Sequence, residues 1–270
     1  MKTDILTLEG KKQTTIDLPM QFSEIVRPDL IKKAVLALQS RRYQPYGADP
    51  RAGTKQGEAT PKRRRKYRTT YGFGVSRIKR KALWRRGMRF GWVGAFVANA
   101  VGGRKAFPPK AEKILEKKIN KKENRRAIRS AIAATTSKDL VELRNHQISE
   151  VKALPIIVED KLQDLVKTKD VQVALVNLGL KSELERVKQK KVRAGRGTTR
   201  GRKYITKKGP LIVVGKKCPL IKAIKNIPGS DVAEVQNLNA ELLAPGAQPG
   251  RLTIFTKSAL EKLQKEELFK

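Results

Sequence analysis

Residues 251–267 read RLTIFTKSALEKLQKEE and join a short apolar run to a helical repeat. Leu252 to Phe255 is typical of a buried strand. Ser258, with Glu261 three residues later, indicates a capping box that begins a helix over 258–267. A strand that leads directly into a helix is a basic unit of α/β folds, so this stretch favours that class.

The same pattern recurs in the second half of the chain. Short apolar runs at 156–158, 211–214 and 232–235 have the length of buried strands. The first two lead into helices that the periodicity predicts at 168–178 and 219–225. Buried strands that alternate with helices predict an α/β fold with a mostly parallel sheet covered by helices.

The first half carries weaker versions of these signals. Two alternating runs predict a hairpin over residues 5–18. Pro28 can occupy the first turn of a helix, and apolar residues then fall on one face as far as Ser40. Further helices are predicted over 111–120 and 123–134.

Positive charge is concentrated in two segments. The chain has 61 Lys and Arg against 25 Asp and Glu, a net charge of +36. Residues 44–110 hold 18 of these cations with two acids, and residues 187–209 hold ten with none. A segregated excess predicts a polyanionic partner. We therefore expect a globular α/β domain of residues 1–43 and 111–270, an extended loop over 44–110, and a basic Gly/Arg insertion over 187–209.

The long segment 44–110 has the composition of an RNA-binding loop. Fifteen glycines and prolines predict that no regular element persists in it. Six of its aromatic residues, those from Tyr67 to Trp92, are interleaved with arginines, which suits stacking on unpaired bases and neutralisation of phosphates. A flexible linker is the alternative, but linkers rarely carry so many aromatics. The residues expected to bind RNA are Arg51, Lys55, Lys62, Arg63, Arg64, Arg65, Lys66, Arg68, Arg80, Lys81, Arg85, Arg86, Arg89, Arg104 and Lys105.

The second basic segment repeats this chemistry around three glycines. Its Gly195-x-Gly197 could begin a dinucleotide fingerprint, but that motif needs an apolar strand before it and a helix after it. The preceding residues KQKKVRA are not such a strand. The RNA-binding residues expected here are Lys191, Arg193, Arg196, Arg200, Arg202 and Lys203.

The sequence offers little for catalysis or metal binding. A single cysteine, Cys218, and a single histidine, His146, leave no plausible Cys/His metal set. We expect Cys218 to be a small buried side chain, His146 to be a surface or capping residue, and Glu159-Asp160 to cap the helix that follows. No catalytic residue, cofactor, metal or small-molecule substrate is expected.

No membrane or export signal is evident. The N-terminal MKTDILTLEG lacks the apolar stretch of a secretory signal, and the most apolar window, 92–101, is too short to span a bilayer. We expect a cytoplasmic protein with no membrane association.

Eight stretches together resemble the universal large-subunit ribosomal protein number four family, in its archaeal and eukaryotic form. In order, they are RPDLIKKAV (27–35), YGADPRAG (46–53), AVGGRKAFPPK (100–110), RSAIAAT (129–135), DLVKTK (164–169), RAGRG (193–197) with GRKY (201–204), LLAPGAQPG (242–250) and RLTIF (251–255). They cover nearly the whole chain.

The resemblance implies an architectural protein that binds early in assembly of the large ribosomal subunit. Its α/β domain would lie on the outer surface, and its long loop would pass through ribosomal RNA to the wall of the peptide exit tunnel. Tyr71, Phe73 and Arg77 would be the tunnel-proximal residues. The implied partners are large-subunit rRNA and neighbouring large-subunit ribosomal proteins, and a contact with the nascent peptide stays open.

One departure from the family pattern leaves the tunnel-lining residues open. Many members carry Gly-x-Gly-Arg at the far end of the loop, whereas this chain has Gly72-Phe-Gly-Val75, preceded by the insertion-like run PKRRRKYRTT. Two other functions remain as alternatives. A chromatin-type protein would have a duplex DNA footprint that resists ribonuclease, and a nucleotide-dependent α/β enzyme would bind a small ligand saturably.

Overall fold

The computed structural model describes residues 1–55, 61 and 63–270. Lys62, one of the predicted RNA-binding residues, lies outside the described residues. The chain divides into two compact units, the first formed by 1–42 with 116–270 and the second by 43–115. Among the described residues, no helix is both long and apolar enough to cross a membrane.

The first unit is built on a six-stranded sheet with helices. Its sheet strands are β1 (Lys2–Leu6), β2 (Lys12–Asp17), β5 (Ile156–Val158), β8 (Leu211–Val214), β9 (Asp231–Glu234) and β10 (Thr253–Thr256). The remaining strands are β3 (Arg80–Arg86) and β4 (Arg89–Gly94) in the second unit, and β6 (Lys190–Val192) and β7 (Tyr204–Thr206) in the first. The helices are α1 (Pro28–Ser40), α2 (Lys121–Ala133), α3 (Lys138–Leu143), α4 (Thr168–Asn177), α5 (Lys181–Lys188), α6 (Leu220–Ile224), α7 (Ala240–Leu243) and α8 (Lys257–Lys265).

The sheet is parallel except at one edge. Its strand order is β2-β1-β5-β10-β8-β9, and only the β1–β2 hairpin pairs antiparallel. The predicted α/β fold with a mostly parallel sheet is confirmed. The predicted hairpin is present, and α1 begins and ends at the predicted residues.

The two faces of the sheet carry separate hydrophobic cores. Phe255 of β10 packs in one core with residues of α1, α2 and α8, whereas its neighbour Ile254 packs in the other with residues of α4 and α6. All residues of β5, β8 and β10 are buried because helices cover both faces. This explains why these strands read as continuous apolar runs in the sequence.

The prediction of a helix over residues 111–120 is wrong. No helix forms there, and the backbone N–H of Lys117 donates to Ser40 Oγ at 2.8 Å, at the end of α1. This donor therefore has a partner outside its own segment, whereas a helix would direct it to the carbonyl four residues earlier.

The predicted capping box is also wrong. The N-cap of α8 is Thr256, and the backbone N–H of Ser258 donates to Asp160 Oδ1 at 2.9 Å. Asp160 is thus bonded to the start of the last helix of the chain, and it also begins a short 3-10 helix (Asp160–Asp164), within which its Oδ1 accepts from Gln163 Nε2 at 2.8 Å. Glu159 occupies the N-cap position of this 3-10 helix, as expected, but its side chain makes no capping hydrogen bond there, and its Oε1 accepts from the backbone N–H of Leu8 at 3.2 Å.

A buried arginine holds the end of the second basic segment. Arg251 has no exposed surface, and its guanidinium donates to the carbonyls of Gly209 and Leu242 at 2.9 Å and to Asp231 Oδ2 at 2.6 Å. Burial lowers the pKa of Arg251, although Asp231 opposes the shift. Gly209, where the second basic segment ends, is therefore tied to Arg251, two residues before the start of β10.

A second buried charge network corrects the prediction for His146. The imidazole is buried, and its Nδ1 lies 2.7 Å from Oε1 of the fully buried Glu183. Glu183 also accepts two hydrogen bonds from Arg186, and Arg186 donates to the carbonyl of Lys208 at 2.8 Å. The polar neighbours of His146 in the sequence gave no sign of this burial, because its partner is 37 residues away.

The buried hydrogen-bond partners of Arg251 predict that replacing this arginine lowers the stability of the protein. Arg251→Met would leave the Gly209 and Leu242 carbonyls without donors and Asp231 without its buried partner. We expect the free energy of unfolding to fall by about 3 kcal/mol, measured by urea denaturation. The control is Arg27→Met, which removes a solvent-screened pair with Asp29 and should change the free energy of unfolding far less. Equal unfolding midpoints for the two variants would contradict this account.

The burial of His146 predicts a pH dependence. Burial lowers the pKa of His146 below its ordinary value of about 6.5, and Glu183 only partly offsets this. Folding therefore favours the neutral ring, so stability is full above about pH 6.5 and declines as the pH falls through the folded pKa. His146 is the only histidine in the chain. In urea titrations at pH 7.5 and 5.5, we expect His146→Gln to lose less stability than the wild type, and parallel losses would exclude this origin.

Candidate nucleic-acid interface

The second unit contains a cationic β-hairpin. Strands β3 and β4 pair antiparallel with Arg85 opposite Phe90 and Arg86 opposite Arg89, and Gly87 with Met88 forms the turn. Gly87 has a φ of 56°, a conformation that favours glycine at a tight hairpin turn. The expectation that no regular element persists in 44–110 is therefore wrong over residues 80–94. The alternating strand signal was hidden by the frequent glycines.

An aromatic cluster links the hairpin to the turn that precedes it. The Tyr67 ring meets Phe90 edge-on at a centroid distance of 5.5 Å, and Phe90 stacks with Trp92 at 5.3 Å. The Arg85 guanidinium lies 5.3 Å from the centroid of Tyr67 and 5.9 Å from that of Phe90. The rings thus form a small core that also positions a cation.

Trp84 lies against the neighbouring strand where that strand has no side chain. A Cβ atom on Gly91 would come within 2.2 Å of the indole Nε1 of Trp84. Gly91 therefore lets the indole lie directly on β4. Trp84 is still 54% exposed, so it is accessible to a partner.

A cavity of about 1060 Å³ lies beside this hairpin within the second unit. It brings together aromatic rings and cations that are well separated in the sequence. Of the predicted site residues, its lining includes Arg64, Arg65, Lys66, Arg68, Arg89, Tyr71 and Phe73. Such a mixture of flat rings and guanidinium groups suits a base and its phosphate.

The residues expected nearest the tunnel lie close to this cavity. The Arg77 guanidinium is 5.4 Å from the centroid of the Tyr71 ring, and Phe73 is 71% exposed. Gly72 and Gly74 have positive φ, and nothing lies within 4 Å of the position that a Cβ atom would take on either. Neighbouring atoms therefore do not restrain the turn at these two glycines.

The two ends of the loop run side by side. The N–H of Ala48 donates to the carbonyl of Pro109 at 3.1 Å, and a Cβ on Gly53 would come within 2.6 Å of Arg104 Cα. The predicted residues Arg51, Lys55, Arg104 and Lys105 all lie in this paired part of the loop and are exposed.

Asp49 stabilises a turn in one of the two paired ends of the loop. It accepts from Lys55 Nζ at 2.6 Å and from the backbone N–H of Arg51 at 2.9 Å. The pKa of the Asp49 carboxyl is lowered mainly by the hydrogen bond from Lys55. The acid therefore stays ionised and shapes the turn that presents Arg51.

Most of the loop contains no acid of its own. No Asp or Glu occurs between residues 58 and 112, whereas 16 Lys and Arg residues do. The remaining predicted cations of the loop fall in this interval. Arg63, Arg85 and Arg86 are exposed, while Arg80 and Lys81 are half-buried.

The second basic segment forms a smaller hairpin in the first unit. Strands β6 and β7 pair antiparallel with Lys191 opposite Ile205, and the N–H of Arg193 donates to the carbonyl of Lys203 at 2.8 Å. Arg196, Arg200, Arg202 and Lys203 are exposed between or beside these strands. The strand before Gly195 is exposed and β7 follows the loop, so the segment lacks the context of a dinucleotide site.

The root of this hairpin, where residues 187 and 209 join the domain, is fixed by packing as well as by Arg251. Val187 is buried, and a Cβ on Gly229 would come within 2.3 Å of its Cγ1. Gly229 has a φ of 66° and accepts from the backbone N–H of Gly209. The segment thus leaves and re-enters the domain at a defined point.

The structure adds cations that the prediction left out. Lys79 Nζ lies 3.8 Å from the centroid of Phe96, and Arg144 and Lys208 line a cleft of the first unit. Lys79 and Lys208 belong to the two basic segments, so the charge pattern could have included them. Arg144 stands in ELRNHQ, where nothing in the sequence marks it.

The remaining polar groups give no sign of a catalytic centre. Within 1–55, 61 and 63–270, no group of three or more His, Cys, Asp or Glu side chains is arranged to hold a metal ion. Cys218 was expected to be buried but is half-buried. Burial nevertheless raises the pKa of its thiol, which disfavours the reactive thiolate.

Comparison with known proteins identifies relatives over the full length. The sequence profile of the family described as "Ribosomal protein L4/L1 family" matches residues 16–266. The chain is 54% identical over 270 residues to the large ribosomal subunit protein uL4 of Nanoarchaeum equitans, with 100% of both chains covered. It is 44% identical to that of Methanosphaera stadtmanae, covering 97% of this chain and 96% of the relative. It is 46% identical to the large ribosomal subunit protein uL4 of Archaeoglobus fulgidus, covering 97% of this chain and 98% of the relative.

Proposed function

The chain belongs to the ribosomal protein L4/L1 family, and we propose that it is a structural constituent of the large ribosomal subunit that binds and organises large-subunit rRNA during assembly. In this proposal the loop of residues 44–110 reaches the wall of the nascent-peptide exit tunnel. The role is architectural and requires no catalytic group or cofactor. The protein would act in the cytoplasm, with rRNA and neighbouring large-subunit proteins as its partners.

The acid-free interval of the loop is the observation that supports RNA binding most strongly. Its 16 cations between residues 58 and 112 repel one another, and no carboxylate within the interval offsets them. RNA phosphates would supply the missing negative charge and release their condensed counterions. Fixed cations between RNA helices would lower the free energy of one folded arrangement of the RNA.

The aromatic residues favour RNA over duplex DNA. Trp84 and Phe73 remain largely exposed beside arginines, which suits stacking on bases that are not in a regular duplex. A DNA-packaging protein would instead depend on backbone contacts and deformation of the duplex. The cavity lined by rings and guanidinium groups is therefore better matched to looped or single-stranded rRNA.

The course of the loop supports the proposal that its central residues, around Arg77, lie deep within the ribosomal subunit. The two ends lie side by side through Ala48 and Pro109, so the chain extends outward and returns. Arg77 is midway between residues 44 and 110 and is therefore as far along the chain as possible from both ends. If the paired ends face the globular domain in the subunit, Tyr71, Phe73 and Arg77 approach the tunnel wall.

The tip of the β3–β4 hairpin gives a test of phosphate binding. We expect the triple variant Arg85→Gln, Arg86→Gln and Arg89→Gln to bind large-subunit rRNA transcripts more weakly. The slope of log K against log salt should decrease in magnitude by about two to three, because each phosphate contact contributes roughly 0.7 to 0.9. Filter binding between about 50 and 200 mM salt measures this slope.

The matched control removes the same charge from the first unit. Arg27, Lys33 and Arg41 are exposed cations that already pair with Asp29, Glu123 and Glu116. Their triple exchange to Gln should leave the slope nearly unchanged. If both triple variants lower it equally, the binding reflects net charge alone and the hairpin has no special role.

The tunnel position can be tested in assembled subunits. A photo-crosslinking amino acid at Phe73 should capture nascent chains on translating ribosomes, because this position would face the tunnel. The same group at Met20 should not, although Met20 is 72% exposed and Phe73 is 71% exposed. Crosslinks only to rRNA or protein at position 73, with none to nascent chains, would exclude the tunnel-wall position while leaving rRNA binding intact.

A further inference from the structure

A cleft of about 560 Å³ lies in the first unit, next to the root of the second basic segment. It involves residues outside the two hairpins described above. Four cations and two acids are among its lining residues: Arg42, Arg144, Lys208, Arg251, Asp231 and Glu241.

Both acids of the cleft are already neutralised. Asp231 Oδ2 accepts from Arg251 at 2.6 Å and from Lys208 Nζ at 3.0 Å. Glu241 accepts from both terminal nitrogens of Arg42, at 3.1 and 2.6 Å. The charges of these five side chains sum to a single positive charge, and Arg144 adds a second.

Arg144 is held in place without a carboxylate partner. Its Nη1 donates to the carbonyls of Pro245 and Gln248, which fixes the plane of the guanidinium group. Its Nε is buried and has no hydrogen-bond partner in the part of the chain that the structure describes. Burial, with Arg251 and Arg186 nearby, lowers the pKa of Arg144 to about 10. The guanidinium group is thus fixed, partly desolvated and short of negative charge.

We propose that this cleft binds a phosphate group, and that the group is a backbone phosphate of RNA running along the second basic segment. An anion beside Arg144 would offset the excess charge and accept from its remaining N–H groups. Lys208 belongs both to the cleft and to the second basic segment, so an RNA strand that follows the segment passes the cleft. The inference rests on the proposed function, but it assigns Arg42 and Arg144 a role that the two basic segments do not imply.

The test compares two adjacent arginines. Arg41 and Arg42 are both exposed, and each pairs with a glutamate, but only Arg42 lines the cleft. Arg42→Gln would leave Glu241 without a cationic partner beside the phosphate, whereas Arg41→Gln would leave Glu116 without one away from it. We expect Arg42→Gln and Arg144→Gln each to weaken binding of the full-length protein to a large-subunit rRNA transcript by roughly tenfold, with the salt slope lowered by about one. Arg41→Gln should change neither.

Inorganic phosphate separates an RNA phosphate from a free anion. Both sources predict that inorganic phosphate raises the melting temperature of the wild type more than that of Arg42→Gln. If this difference appears while the rRNA affinity of Arg42→Gln equals that of Arg41→Gln, the cleft holds a free anion and the RNA assignment is overturned.

The remaining outcomes distinguish this inference from the proposed function. If the wild type binds rRNA and the Arg42→Gln and Arg41→Gln variants bind it equally, with no difference in phosphate stabilisation, the cleft is not a phosphate site. A wild type that does not bind rRNA overturns the proposed function itself. If Arg144→Gln fails to fold, the Arg42→Gln variant alone tests the cleft. Arg42→Gln should fold, because the Arg42 side chain is 70% exposed.

Discussion

The separation of acids from bases along the chain constrains the rest of the structure. The intervals between residues 58 and 112 and between residues 185 and 231 contain no acid, although both are rich in Lys and Arg. A cation in these intervals can pair only with an acid outside them, as Arg186 does with Glu183 and Lys208 with Asp231, or contact a carbonyl, a hydroxyl, an aromatic ring, water or an external anion. The arginines of the long loop accordingly lie over rings, as Arg85 does over Tyr67 and Arg77 over Tyr71. These contacts orient the cations without neutralising them, so the charge remains available for a polyanion.

The globular unit uses charge in the opposite way. Arg251 and Glu183 are fully buried, and each has several short hydrogen bonds to named partners. Such groups contribute little net stability compared with apolar residues, but they are costly to leave unpaired. Because Arg251 binds Gly209 and Arg186 binds the carbonyl of Lys208, this cost defines where the second basic segment re-enters the domain. A rigid root beneath an exposed hairpin reduces the entropy that must be lost when the hairpin binds RNA.

Sequence patterns predicted the elements that are determined locally and failed where partners are distant. The helix 28–40 could be placed because a proline start and one apolar face lie within a single stretch. The helix over 111–120 could not be excluded, because the competing acceptor, Ser40 Oγ, lies 77 residues from Lys117. The burial of His146 depends on Glu183, and the start of α8 depends on Asp160. The β3–β4 hairpin was missed because its glycines, read as breakers, allow Trp84 to lie on Gly91 and Gly87 to form the turn.

The same reasoning explains why the turn around Gly72-Phe-Gly-Val75 is the least determined part of the candidate site. Gly72 and Gly74 have positive φ angles with open space around both, so no neighbouring atom holds these two positions in this conformation. Position 75 is a valine and adds no charge to this turn, while Arg77 lies over Tyr71. A loop whose sides are fixed by rings and whose far turn is unrestrained can adjust to an RNA wall as it is inserted. The fixed hairpin would then supply affinity, and the unrestrained turn would take its final shape from whatever surrounds it.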